Sequence, residues 1–282
     1  MPSCIEYGYR SGIGSRPIAS EKIAAMIAVY YSRAVDPASL PSVERWLELM
    51  IPRLMSTSDT GAMTAAQFFT ALRRVEGVNT PFTATPTLGM IDPGVRKSLL
   101  TVGPYDYMNK ASQIERLDLP DGQRQAMLAE AKQATTKAVA AATIRHAQAG
   151  SRQTIIDNTE KDAVALGWVR VTKADPCFFC AMLASRGITY RAFKQDSFAQ
   201  SDPRFIGSGD AKVHDKCGCS MKPVYDKADP VLARTDKFAE MWTMWGAGGG
   251  DAALRFRRGY DHFRSSGEYL TWDQANDGLR AA

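Results

Sequence analysis

Only three histidines occur in the 282 residues of this chain: His146, His214 and His262. None has a Glu two places on, no His-Glu-x-x-His occurs, and no Gly-x-Ser-x-Gly occurs. Those gaps remove the usual signatures of zinc deaminases, zinc proteases and nucleophile-elbow hydrolases. Long apolar runs are also missing. The longest, Ile23 to Tyr31, falls far short of the roughly 20 residues that span a bilayer, so no membrane partner is expected. The opening MPSCIEYGYRSG has no apolar centre of the kind a secretory signal needs, which implies synthesis in a reducing cytoplasm. Charge is unremarkable: 23% of residues are charged and the net charge is +5, which permits nucleic acid nearby without arguing for it.

Cysteine is sparse too, at five residues, but its distribution is not random. Four of the five fall in one segment, as Cys177-x-x-Cys180 followed by His214-x-x-Cys217-x-Cys219. Two Cys flanking a tight turn bring their sulfurs toward one ion, and the later His and Cys-x-Cys offer the remaining donors, a pattern that suits structural zinc. Zinc takes four ligands and five donors are present, so one of Cys217 or Cys219 is surplus, and the spacing does not say which. Disulfide pairing, a redox Cys-x-x-Cys and inert buried thiols are the competing uses. A reducing compartment opposes the first, the distant His-x-x-Cys-x-Cys is unneeded by the second, and clustering speaks against the third.

The first half of the chain predicts helices. Ile23, Ile27, Tyr30 and Ala34 follow a cap at Ser20. Val43, Trp46, Leu47, Met50, Ile51 and Leu54 form a stripe that begins near Pro41 and bends at Pro52. Thr64-x-x-Gln67 has the capping-box pattern and predicts a new helix along Phe68, Phe69, Leu72 and Val75. The Thr/Pro-rich VNTPFTATPTLGMID then reads as a surface arm or binding loop. Asp92-Pro93 predicts a helix start that ends at Gly103-Pro104, and helix resumes through Tyr107, Ile114 and Leu117. From Gly122 to Gln148 the chain is Ala-rich, with Met127, Ala131, Ala134, Ala138 and Ala142 as the packing stripe. Gly150 then predicts a stop, and Ser151 the cap of the next helix.

At Gly167 the periodicity changes from helical to alternating. Trp168 to Val171 predicts a strand entering the Cys-x-x-Cys turn, Met182 to Ser185 a short helix, and Ile188 to Tyr190 and Met221 to Tyr225 its partner strands. So few strands bury little, and a metal or adjoining helices must support them. Beyond Asp226, Met241-Trp242-Thr-Met-Trp245 before a Gly-rich joint reads as a docking surface or as a helix folding back. Arg255, Arg257 and Arg258 interleaved with Phe256 and Tyr260 predict possible DNA contact, by phosphate pairing and base stacking.

The run GWVRVTKADPCFFCAMLASRGITY, followed by VHDKCGCSMKPVY, resembles the C-terminal signature of the phage Mu F-like head morphogenesis proteins, in the form found in tailed phages of actinobacteria. The upstream SLLTVGPYDYMNKA, the Ala-rich helix and the helix ending in ALGW are similar to the helical region of the same family, so the resemblance covers residues from about 20 to 226. It implies a minor capsid protein, inside the phage head near the portal, acting in procapsid assembly and in DNA packaging or ejection. Portal protein is the implied partner, with major capsid or scaffolding protein and packaged DNA as further ones. Relatives are often labelled capsid maturation proteases, so a protease or a nuclease-like enzyme carried by the C-terminal module is the alternative.

The expected fold is mainly α, with a small α+β Cys/His module near the C-terminus and an elongated helical N-terminal region. The expected divisions are a flexible arm over 1–19, a helical portal- or capsid-binding region over 20–166, the Cys/His module over 167–226, and a tail over 227–282. Four of Cys177, Cys180, His214, Cys217 and Cys219 are expected to hold structural zinc, with no catalytic residue assigned.

Overall fold

In a computed structural model, residues 15–89, 94–190, 217–246 and 250–277 are described. The protein is mainly α-helical with one small sheet, as expected. The described residues divide into two compact units. The first runs through Asn158 and includes Cys217 and Gly218; the second runs from Thr159 to Tyr190 and from Cys219 onward.

The first unit holds α1 (Ser15–Ala34), α2 (Leu40–Val75), α3 (Val95–Leu100), a π turn (Thr101–Tyr105), α4 (Asp106–Glu115), α5 (Asp121–Ala147) and α6 (Ala149–Lys161) through Asn158. Its core joins Ile23, Ile27 and Tyr31 of α1 to Val43, Trp46, Leu47, Met50 and Leu54 of α2. Val95 and Leu99 of α3 and Val139 and Ala142 of α5 complete it. The separate helix expected from Thr64 does not occur. Pro52 lies inside one continuous 36-residue helix, where its missing N–H and its ring disturb only the local ladder, and the Arg53 guanidinium donates to the Leu49 carbonyl beside it. Thr64 caps nothing. Its hydroxyl donates to Thr60 O at 2.9 Å, as Thr60 does to Ser56 O and Thr57 to Arg53 O, the back-bonding open to a Thr in mid-helix. The buried positions stay in helical phase through Ser58, Ala62, Ala65, Phe69 and Leu72, so packing overrides both local stop signals.

Asp92 and Pro93 lie outside the described residues. Gly103 and Pro104 do not end a helix either. The π turn carries the chain through both and on into α4, a local widening of the kind that lets a helix continue past a disturbed hydrogen bond. On α5 the buried stripe is Ala131, Thr135, Val139, Ala142 and His146, not one through Met127, Ala134 and Ala138. Gly150 is within α6, not after its predecessor, because backbone approaches backbone there. A Cβ on Gly150 would lie 2.5 Å from Ser58 O, and its N–H donates to Ser58 Oγ at 3.0 Å.

The Thr/Pro-rich segment is laid along α6 by side chains. Thr85 donates its N–H to Asn158 Oδ1 at 2.9 Å, and Asn158 Nδ2 returns a bond to Thr85 O at 2.8 Å. Thr87 donates its N–H to Thr154 Oγ1 and its hydroxyl to Asp157. Phe82 packs on Phe69 with ring centroids 5.5 Å apart, under the Arg73 guanidinium. Backbone groups with no ladder must find such partners, so this loop is ordered by α6 and α2 together.

The second unit contains β1 (Gly167–Val171), α7 (Phe178–Ala184), β2 (Thr189–Tyr190), β3 (Ser220–Val224), α8 (Val231–Trp245), α9 (Ala252–Ser266) and α10 (Trp272–Asn276). β1 is central and antiparallel to both neighbours, with Trp168 opposite Thr189 and Pro223, and Arg170 opposite Met221. The α7 residues Phe179, Met182 and Leu183 pack against Phe238, Met241 and Trp245 of α8 and Phe256 and Tyr260 of α9. Of the two readings of Met241 and Trp245, a docking surface or a helix folding back, the second fits: they are core residues at 1% and 0% exposure. Lys222 of β3 and Asp229 form an ion pair that is buried on both sides, and Asp229 Oδ1 also accepts the Val231 N–H at the head of α8. Desolvation takes back much of what such a pair gains, but losing one partner would strand a buried charge.

Replacing Gly150 by Ala is expected to cost about 1–3 kcal/mol, the range for forcing extra atoms into a packed contact. Urea denaturation should show a lower midpoint with an unchanged slope; an unaltered midpoint would mean that the helices part without cost.

Candidate metal centre

The cysteines reach their places by three local devices. β1 delivers the chain into residues 172–176, and Cys177 then stands as the N-cap of α7, its Sγ accepting the Cys180 N–H at 3.5 Å. One turn into that seven-residue helix, Cys180 faces inward at 3% exposure. Cys217-Gly218-Cys219 leads directly into β3, which places both of its thiols at the start of a strand paired to β1. The Cys217 carbonyl accepts a bond of 2.7 Å from the buried Arg152 guanidinium, which fixes the backbone at that residue.

Cys180, Cys217 and Cys219 come together. Their three sulfurs all lie within 4.8 Å of one another, and all three residues are buried. None of the four cysteines in the segment is joined to another by a disulfide. Tetrahedral zinc with sulfurs at about 2.3 Å places them roughly 3.8 Å apart, so the three thiols need to draw in only slightly around an ion. A soft, sulfur-only donor set of this kind suits zinc or another thiophilic metal. The structure brings Cys217 and Cys219 both beside Cys180, where the spacing had left room for one. Cys177 belongs to the helix cap and not to the group of three, and His214 lies outside the described residues.

The residues before Cys177 are held from α8 and α9. Arg234 donates to Lys173 O and Ala174 O, both at 2.6 Å. Arg264 grips Asp175 with two parallel bonds, Nε to Oδ1 at 2.6 Å and Nη2 to Oδ2, and those bonds hold the Asp175 carboxyl below its usual range. Tyr260 donates its hydroxyl to Pro176 O at 3.1 Å. Burial pushes that phenol well above its ordinary value, so it remains a donor at any physiological pH. The Arg257 guanidinium lies 5.0 Å from the Phe178 ring centre.

The same helix, α9, carries the three arginines for which DNA contact was expected, and Arg257 and Arg258 are exposed on it. Arg255 is 5% exposed. Its guanidinium donates to Trp245 O and Asn276 Oδ1 and lies over the Trp272 ring. Phe256 and Tyr260, expected to stack on bases, are core residues. Arg257 covers Phe178 and faces Asp261 at 3.6 Å, and Arg258 donates to Asp277 O. The signal for this was present in the sequence. Phe256, Gly259, Tyr260 and Phe263 recur at helical spacing, so the aromatic face turns inward and the arginines bridge over it. Gly259 is the contact point, since a Cβ there would lie 2.3 Å from the Trp245 ring.

Comparison with protein families matches residues 15–245 to the VG15 protein family. The chain belongs to that family. It is therefore a phage-encoded protein, and the match takes in the whole cysteine segment together with α1 through α8. α9 and α10 lie beyond it. No curated protein and no solved structure matches the chain. Among the described residues of this VG15-family protein, no helix is long and apolar enough to cross a membrane.

Changing Cys180, Cys217 or Cys219 singly to Ser is expected to weaken metal binding by at least about 100-fold, since each removes a thiolate donor. Cys177→Ser should cost no more than about tenfold, because Ser is itself a preferred N-cap. Titration with cobalt(II), read by sulfur-to-metal charge transfer, checks both. An equal loss in all four variants would place Cys177 among the ligands.

Proposed function

We propose that this protein is a minor capsid, head-morphogenesis protein of a tailed bacteriophage, associated with the portal on the inside of the head and acting in procapsid assembly and DNA packaging or ejection. In this proposal the helical unit through Asn158 carries the partner-binding surface. The cysteine module holds a structural zinc ion through Cys180, Cys217 and Cys219, with His214 as the fourth ligand.

The observation that carries the proposal is the family match over residues 15–245, taken with the burial of the three thiols at 1 to 3% exposure. A virion component must keep its shape through assembly, and a closed sulfur-rich site favours a structural ion over one that exchanges water with substrate. Three of the five Cys/His positions that resemble the Mu F-like signature, Cys180, Cys217 and Cys219, lie together. Zinc would stabilise the junction of α7 with β3, where a three-stranded sheet with one two-residue strand has little apolar area of its own.

Quantitative mass spectrometry of purified procapsids and mature virions, with lysine cross-linking, tests this function. The chain is expected in particles, with cross-links from the exposed Lys22, Lys97 or Lys137 of the helical unit to portal protein. Absence from both particle types, or cross-links confined to the major shell protein, would overturn it.

A further inference from the structure

α9 and α10 fall outside the VG15 match, yet α9 makes the contacts that fix the turn leading into the cysteine site. Residues 172–176 join β1 to α7 without regular structure, and such a segment holds one shape only if its polar groups have fixed partners. Here four side chains hold residues 173–176 and Phe178. Lys173 O and Ala174 O accept from Arg234, Asp175 accepts from Arg264, Pro176 O accepts from Tyr260, and the Phe178 ring lies under Arg257. Three of those four side chains come from α9. α7 itself has seven residues, too few to be stable alone, so the placement of Cys180 depends on how its N-terminus and its apolar face are held.

We propose that α9 sets the metal affinity of the cysteine site, with Tyr260 and Arg264 as positioning residues that hold the turn before Cys177 and thereby aim Cys180 at Cys217 and Cys219. Neither residue supplies a ligand. Their effect arises because a donor that must be ordered at the moment of binding gives up affinity that a preorganised donor keeps. Removing residues 252–277 would leave all the cysteines in the chain while releasing Asp175, Pro176 and Phe178. The Arg264–Asp175 grip is bidentate, the strong geometry for this pair, but Asp175 is largely exposed, so its share is smaller than that of the buried Tyr260 bond.

This inference rests on the metal assignment above, and its test separates the two. Cobalt(II)-loaded full-length protein is mixed with excess chelator and the loss of the charge-transfer band is followed. Tyr260→Phe is expected to release cobalt about tenfold faster and Arg264→Gln a few-fold faster, in the range for residues that orient metal ligands. The d–d bands of both variants should broaden as Cys180 loses its fixed direction. Asp175→Asn should match Arg264→Gln, and combining the two should add nothing further. Higher ionic strength should speed release from the unmodified protein and leave Arg264→Gln unchanged. If Arg264→Gln lowers the melting temperature of the metal-free protein, Asp175→Asn, on an exposed side chain, carries the comparison. Absence of cobalt charge transfer in the unmodified protein sinks the metal assignment itself. A loaded site from which every variant releases metal at the unmodified rate, with unchanged bands, overturns this inference alone.

Discussion

A seven-residue helix cannot hold itself in place, and α7 is such a helix. Everything distinctive about the second unit follows from that constraint. α7 carries Cys180 on one side and Phe179, Met182 and Leu183 on another. The apolar side is covered by an aromatic layer in which Phe256 stacks on Tyr260 with ring centres 5.7 Å apart and Trp245 meets Phe256 edge-on. The N-terminal end is held by the bonds to residues 173–176. What remains is the side facing Cys217 and Cys219, where three buried thiols converge. Thiols in apolar surroundings resist ionisation, so an ion that stabilises the thiolates is the natural complement of this last face.

The helical unit solves a different problem, that of packing long helices rich in small and hydroxylated residues. Ala131, Thr135, Val139 and Ala142 give α5 a narrow buried stripe, and Gly150 lets α6 meet α2 at Ser58. Side chains this small bury little area each, so stability must come from close approach and from satisfied polar groups. The Asn158–Thr85 pair and the Thr87 bonds show the same economy applied to a loop: a segment without a ladder is ordered by side chains of α6, with Arg73 and Asp59 of α2 holding its two ends.

Much of this was legible in the sequence, and the failures have a common cause. The strands at Trp168–Val171 and Met221–Tyr225, the helix after Cys177 and the clustering of the thiols follow from local pattern, and local pattern decided them. Pro52 and Thr64 carry local signals that the structure overrules, because each lies where an apolar stripe runs on in phase; at Pro104 a π turn carries the helix on, and the break expected at Gly150 falls slightly earlier, between Ala147 and Ala149. Arg255 failed for the opposite reason. Its charge suggested solvent and phosphate, while the spacing of Phe256 and Tyr260 had already turned its helix face inward. Long-range partners such as Arg264 for Asp175, 89 positions away in the chain, have no signature in spacing at all.

Charge arithmetic bears on which donor completes the proposed site. Three thiolates around a divalent ion leave about one unit of negative charge; a neutral imidazole adds none, whereas a fourth thiolate would bring it to about two. Buried charge is costly unless it is matched by donors, and the three thiols are almost fully buried. A four-thiolate site is therefore the more demanding of the two here, and would need N–H groups aimed at its sulfurs. The imidazole of His214, three positions before Cys217 in the chain, is the donor that leaves the smaller charge to bury, which is why the proposed set is three cysteines and one histidine.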